Sequence, residues 1–406
     1  MPDVTMTRRT VLSFGVLTGV MASGYGVMFT VLDDFRERYG ISESRLGMIV
    51  GIGFVSSFLA QVFLAPVADR GHARRLVYFG LVLNVVGLML LAFGQVLWVL
   101  LAGRFISGVG LGMAFPAIRR IVLLGDPDRL GDNLGLLLAA DVTGFASGPV
   151  LSALLVGTLG LPAPFIVIAA GSIALLPLVG RIHVEESVEQ PAARLAFDLL
   201  KSAPYVAAVC LGTALFVMIG TFDALWVVML DDLDAAEWIA NLGISIFVIP
   251  LIFLGEYGGK LAQRLGPFRV GPIGLLLGAV YMVLYGVLPS ALVMLGVGAI
   301  HAITDGLTVS SAAVAVGMVT PESRHAGAQG LLGGIQTLCA GAFAVIAGFL
   351  YERTGRLSAY LFCAAAMVGL VAASLILIGS RRSMTGGAAS ATAAVTDPAT
   401  AVTGHA

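Results

Sequence analysis

The chain is organised by long stretches free of Asp, Glu, Lys and Arg, separated by short polar loops. A helix needs about 20 apolar residues to cross a hydrocarbon core of ~30 Å, so each such stretch can be scored by its length. Residues 10–32 and 46–68 each supply one crossing. The stretch 76–118, interrupted only by Arg104, holds two with a turn near Gly94 and Gln95, and 133–180, interrupted only by Asp141, holds two broken at Gly160 to Pro164. Six more follow: 202–230 containing Asp223, 238–258 with Glu256 near its end, 270–319 as two helices turning at Pro289, 326–351 and 357–380. The expected fold class is therefore an all-α polytopic membrane protein with twelve transmembrane helices in two pseudo-symmetric six-helix bundles. The predicted divisions are an N-terminal bundle over 1–180, a linker over 181–204 with a short surface helix at 192–201, a C-terminal bundle over 205–382, and a disordered tail over 383–406.

Composition agrees with lipid as the solvent. Of 406 residues, 58% are hydrophobic and only 12% charged, about half the ~25% of a soluble domain. A net charge of −1 supplies no basic stripe for phosphates, which argues against nucleic acid as a partner. Cys210, Cys339 and Cys363 lie far apart in apolar runs, so no disulfide framework, metal site or cofactor is expected. An enzyme is not expected either, because five His and three Cys form no triad or metal cluster. Nor is there a phosphate-cradling G-x-x-x-x-G-K-[ST] loop that would let ATP drive the chain. With no appended domain to signal through, a membrane sensor is the weakest reading.

Lys and Arg in short loops set orientation. With a cytoplasmic N-terminus the inner segments collect 17 of the 23 basic residues, the outer loops five, and Arg104 stays in the membrane. Both termini are expected in the cytoplasm. Two Lys against 21 Arg, with abundant Ala and Gly, point to a GC-rich bacterial source and so to the cell membrane.

The loop PVADRGHARR at 66–75 aligns without a gap to KLAQRLGPFR at 260–269, an offset of 194 that pairs Arg70 with Arg264 and Arg75 with Arg269. Two halves with a basic turn after their second helix suggest a duplicated transporter. At this point the chain resembles the major facilitator superfamily over residues 8–382. The first loop is similar to the family's G-x-L-A-D-R-x-G-R-R signature, with Ala65 and His72 in place of its glycines. The resemblance implies a cytoplasmic gate in which Asp69 pairs with arginines and with a helix N-terminus of the opposite half. Arg70, Arg74, Arg75, Arg264 and Arg269 are its candidate members, with Glu256 beside the second loop. Gln263 stands where the second copy would need an acid, so only the first copy can form a full charge pair.

LAGRFISGVGLG at 101–112 is similar to the family's R-x-x-x-G-x-G pattern. Gly135, Gly144, Gly148 and Pro149 look like its antiporter signature G-x8-G-x3-G-P-x2-G-G, although Ser152 and Ala153 replace the last two glycines. Glycines at this spacing let another helix approach closely, and Pro149 removes one backbone hydrogen bond and permits a bend. Close packing alone would also explain them; the resemblance adds the reading of an exporter.

Arg104, Asp141, Asp223, His301 and Asp305 are the ionisable groups well inside spans. An intramembrane Arg is costly unless paired or hydrated, so Arg104 must face the interior, against an acid or a translocated anion. Similar depth suggests Asp141 as its neutralising partner. His301 and Asp305 are four apart on one helix face and can share a proton; proton coupling and a structural hydrogen bond are both open. Asp223 suits cation binding or an ordinary hydrogen bond. Tyr25, Met28, Phe29, Phe216, Met218, Trp226 and Tyr281 are candidates for the cavity wall. The functional expectation is a monomeric, proton-coupled exporter of a small amphiphilic compound. The alternative is an importer or facilitator of a polar metabolite or organic anion, and either would work by rocking one bundle against the other.

Overall fold

The computed structural model describes residues 7–181 and 193–395. Twelve crossings are built from α1 (Arg8–Thr30), the short α2 (Leu32–Tyr39), α3 (Glu43–Phe63), α4 (Ala73–Phe93), α5 (Leu97–Gly125), α6 (Leu130–Leu159) and α7 (Ala163–Arg181) in the first half. The second half has α8 (Ala203–Asp231), α9 (Glu237–Leu265), α10 (Pro267–Val287), α11 (Ala291–Thr308), α12 (Ser311–Val319), α13 (His325–Thr354) and α14 (Arg356–Val395). Ten of these segments are long and apolar enough to cross a membrane, with α11 and α12 forming one of them. The remaining crossings are α7, whose apolar part Ala163–Pro177 is shorter, and the 29-residue α9.

Helix ends follow local chemistry. Thr7 caps α1 by accepting from the Thr10 amide. The left-handed positions that close α2 and the 3-10 turn Ala65–Arg70 are Gly40 (φ 65°) and Gly71 (φ 85°), where a Cβ would be strained. α2 occupies the charged connection between α1 and α3. The tenth crossing is not continuous: α11 ends at Thr308 and α12 begins at Ser311, so the chain breaks one turn beyond Asp305. The backbone stays hydrogen-bonded on both sides of the break, Val309 N–H donating to Asp305 O at 2.8 Å and Val314 N–H to Ser310 O at 3.0 Å, and the Ser310 hydroxyl donates to the Gly255 carbonyl at 3.4 Å.

In the linker, the short helix expected over 192–201 takes the form of a 3-10 helix at Ala196–Lys201, and 182–192 lie outside the described residues. α14 continues to Val395, into the segment read as a tail, consistent with the helix propensity of its alanines. Residues 396–406 lie outside the described residues.

The same pairings recur in both halves. α1 packs on α6 as α8 packs on α13, α3 on α5 as α9 on α11, and α4 on α7 as α10 on α14. The halves meet through α6 with α9 and through α3, α5 and the 65–70 turn with α13. These meetings lie at the end that carries the repeated basic loops, called here the latch face. Two apolar clusters cross the boundary there: Val62 with Ala208, Ala328 and Leu331, and Leu130 and Leu134 with Ala262 and Val314.

Candidate functional site

At the latch face each repeated loop delivers one side chain to the start of a helix in the other half. Asp69 is 2% exposed. Its Oδ1 accepts from Arg120 Nε at 3.0 Å and from the Ala326 amide at 2.9 Å, and its Oδ2 accepts from the Gly327 amide at 2.7 Å. Those amides are in the first turn of α13, where backbone donors have no intrahelical acceptor and the helix dipole favours an anion. In the second copy Gln263 Oε1 accepts from the Gly131 amide at 2.6 Å and its Nε2 donates to the Asp128 carbonyl at 3.0 Å. A carboxamide can do both, so it ties the start of α6 without any charge. Lys260 adds an ion pair to Asp132 at 3.8 Å.

Glycines make these junctions close. A Cβ on Gly135 would strike the Gly255 carbonyl, and one on Gly330 would strike the Gln61 carbonyl; Gln61 and Gly255 are the same repeat position, 194 residues apart. Glu256 bonds Arg8 at 3.0 Å, joining the start of α1 to α9.

The basic member of the latch differs from expectation. Asp69 takes Arg120, which is fully buried, while Arg74, Arg75, Arg264 and Arg269 are exposed and Arg70 is half-buried. Arg70 contributes its carbonyl, 2.8 Å from His72 Nδ1. The ordinary Arg119-Arg120 doublet near the end of α5 gives no sequence signal separating the two residues; helix phase alone turns Arg120 inward.

A second linkage reinforces the latch. Arg324 bonds the Asp198 carboxylate and, at 3.0 Å, the Leu195 carbonyl, and the Tyr205 hydroxyl donates to Ala328 O at 2.9 Å. The linker is thereby fastened beside the same helix start that Asp69 caps.

Deeper in the first half, Arg104 is fully buried. Its guanidinium carbon lies 3.8 Å from the centroid of the Tyr25 ring, a cation–π contact. Tyr25 in turn meets Phe54 edge-on at 5.3 Å and Phe29 and Phe145 at 5.9 and 6.3 Å. Among the described residues none accepts a hydrogen bond from Nε, Nη1 or Nη2 of Arg104.

The expected Arg104–Asp141 pair is not formed. Asp141 lies 3.9 Å from Arg119, which is 15 residues from Arg104 along α5 and therefore about 22 Å away at 1.5 Å per residue. Depth counted separately on two helices misplaced this partner. Arg104 instead reaches across to α1 and α3.

In the second half, His301 and Asp305 on α11 stand 3.3 Å apart between Nε2 and Oδ2. His301 Nδ1 lies 3.1 Å from the Tyr285 hydroxyl, and the Tyr281 hydroxyl lies 3.1 Å from Thr304 Oγ1. Rings enclose the imidazole: Tyr281 at 4.8 Å, Phe247 at 5.6 Å, Tyr285 at 5.9 Å and Phe222 at 6.4 Å. His301 is 2% exposed, whereas Asp305 retains access, with 14% of its side chain open. The pair is thus a buried base lying close to a reachable carboxyl. Asp223 is exposed on α8, next to Phe222 of this ring cluster.

Of the expected wall residues, Met28, Met218 and Trp226 are core rather than cavity, each at most 2% exposed. Tyr25, Phe29, Phe216 and Tyr281 are open in part. Gly144 and Gly148 pack α6 against α1: a Cβ on either would strike Gly19 or the Gly26–Val27 backbone. Pro149 lies within an α6 that remains helical through it.

The sequence model described as Major Facilitator Superfamily matches residues 14–234 and again 221–401. The multidrug resistance protein MdtG of Serratia proteamaculans (strain 568) is 27% identical over 273 residues, 63% of this chain and 65% of that protein. The class C tetracycline resistance protein of Escherichia coli is 27% identical over 245 residues, 57% and 61% of the two chains. The match therefore spans less than two thirds of the length of these relatives. A crystal structure of FucP, described as a major facilitator superfamily transporter in the outward conformation, superposes with TM-score 0.73 at 14% identity, covering 90% of this chain and 98% of that one. With a family match in each half and a shared fold over nine tenths of its length, this multi-pass membrane protein belongs to the major facilitator superfamily.

Proposed function

We propose that the protein is a proton-coupled exporter of small amphiphilic compounds, working as a monomer by alternating access. The observation that carries this reading is the His301–Asp305 pair: a carboxyl with 14% of its side chain open, 3.3 Å from a buried imidazole, on a helix that breaks one turn later. Such a pair can take a proton from one side and release it to the other when the surrounding bundle moves. Tyr285 holds the far nitrogen of the imidazole, and the surrounding rings offer an amphiphile a partly apolar wall. Relatives named for multidrug and tetracycline resistance support the choice of substrate class.

Orientation follows the basic residues, 17 of 23 of which fall in the segments read from the sequence as inner, the two repeated loops of the latch face among them, so we assign that face and both termini to the cytoplasm. With the latch made, the halves are joined at the cytoplasmic end, and export requires Asp69 and Gln263 to release their helix starts. One proton moved through 100 mV supplies about 2.3 kcal/mol, enough for roughly a fifty-fold gradient. Proteoliposomes with an imposed pH gradient provide the test. Substrate flux that follows the gradient in the parent protein and ignores it in Asp305→Asn is expected; flux indifferent to the gradient in the parent overturns the reading.

One observation favours a second reading, an importer or facilitator of an organic anion. Arg104 is a buried cation with no carboxylate opposite it among the described residues. Anion binding lost in Arg104→Ala and retained in Asp305→Asn would select it.

A further inference from the structure

A cleft of about 760 Å³ lies on the far side of α1 and α6 from the Tyr25 and Phe145 rings. None of Tyr25, Asp141 or Phe145 lines it, so it is separate from the central site. Its walls are α1, α6 and α7 of the first half and Ile252, Phe253 and Glu256 of α9 in the second. Small residues hollow it: Gly15 and Gly19 on α1, Ala140 and Gly144 on α6. Leu12, Val16, Val150 and Phe253 at or beside it are exposed, Phe253 by 77%. In a membrane-spanning chain, apolar side chains so exposed face acyl chains.

Charge is confined to one end. Arg8 and Glu256 line the cleft at the latch face, paired at 3.0 Å through Arg8 Nη2. The Arg8 side chain is 58% exposed, and the neighbouring Arg9 is exposed as well. With Arg9 next to the lining residue Arg8, the described residues at this end carry two arginines against one glutamate and are net positive.

From this juxtaposition, an apolar, lipid-facing slot ending at a cationic rim, we infer a binding site for one anionic phospholipid of the bilayer. An acyl chain fills the slot along α1 and α6, and the phosphate accepts hydrogen bonds from the guanidinium groups of Arg8 and Arg9. Because α9 supplies one wall, the slot keeps this shape only while α6 and α9 are packed through Gly135 and Gly255. The site is thus specific to the latched arrangement.

Native mass spectrometry of the full chain released from nanodiscs tests this. The nanodiscs contain equal parts phosphatidylglycerol and phosphatidylcholine with identical chains. The parent protein is expected to retain phosphatidylglycerol about fivefold or more over phosphatidylcholine, as one or two basic contacts provide. Arg8→Ala should reduce that preference toward unity while lipid is still retained. Thr143→Trp or Ser147→Leu, which fill the slot, should abolish retention of either lipid, with circular dichroism confirming the fold of whichever variant is used. Equal retention of both lipids by the parent overturns the proposal, as does unchanged preference in Arg8→Ala or unchanged retention in a folded slot-filling variant.

Discussion

Arg104 lies directly over Gly53, so closely that a Cβ on the glycine would strike its Nε. The repeat offset of 194 places Phe247 where Gly53 stands and Gly298 where Arg104 stands. There the space is shared the other way: a Cβ on Gly298 would sit 3.1 Å from the Phe247 ring. The two halves fill one equivalent volume with a cation in the first and an aromatic ring in the second. A duplicated scaffold has thereby acquired two chemically different walls, cationic on one side and acidic with imidazole and rings on the other.

Gly53→Ala must therefore expel the guanidinium from the face of Tyr25. The lost desolvated cation–π contact is worth about 2 kcal/mol, added to the cost of crowding. Reduced thermal stability and reduced transport are expected together. A variant as stable and active as the parent would show that Arg104 has another low-energy position.

The two latches should differ in strength. Removing one partner from a buried ion pair costs about 3–5 kcal/mol, so Asp69→Ala, which takes the carboxylate away from Arg120 and from two helix-start amides, should be severely destabilising. Gln263→Ala deletes neutral hydrogen bonds worth about 1 kcal/mol each. Thermal unfolding in detergent of the two variants side by side would measure the difference, and equal losses would contradict the assignment.

Coupling should be removable without loss of the pathway. If Asp305 exchanges the proton, Asp305→Asn should still equilibrate substrate but no longer concentrate it. An accumulation ratio near fifty at 100 mV for one proton would collapse to about one. Retained accumulation in reconstituted vesicles would move the coupling site elsewhere.

Close packing of α1 on α6 is testable at Gly144. A methyl there meets the Gly19 carbonyl, and overpacking of this kind costs about 1–3 kcal/mol. Gly144→Ala should lower the melting temperature, whereas Gly157→Ala, where a Cβ meets nothing within 4 Å and the helix gains an alanine, should leave it equal or slightly higher.

Spans, repeat and family were legible because hydrophobic length and loop charge are one-dimensional signals. Asp69 is legible through the resemblance of its loop to the family signature, while the copy 194 residues later, with Gln263 in its place, marks only the loop. What failed was pairing across helices. Depth alone suggests Asp141 as the partner of Arg104, but rotation about α5 and 15 residues of rise decide that it meets Arg119. Arg120 was hidden for the same reason, since burial depends on helix phase against neighbours that the sequence does not locate. His301 and Asp305 were found because four residues on one helix fix their own geometry, whereas their contact with Tyr285 on α10 required the fold.

The latch also constrains how the protein feels the membrane potential. Asp69 and Arg120 belong to the same half, and what they hold in the other half is backbone, Ala326 and Gly327. When the bundles part, the carboxylate and guanidinium travel together as a unit of zero net charge, and Gln263 carries none. Opening this junction separates no charge pair at Asp69 or Gln263; the pairs that do part across the boundary are Lys260 with Asp132 and Arg8 with Glu256, so any voltage dependence contributed by the moving scaffold should be carried by those two pairs.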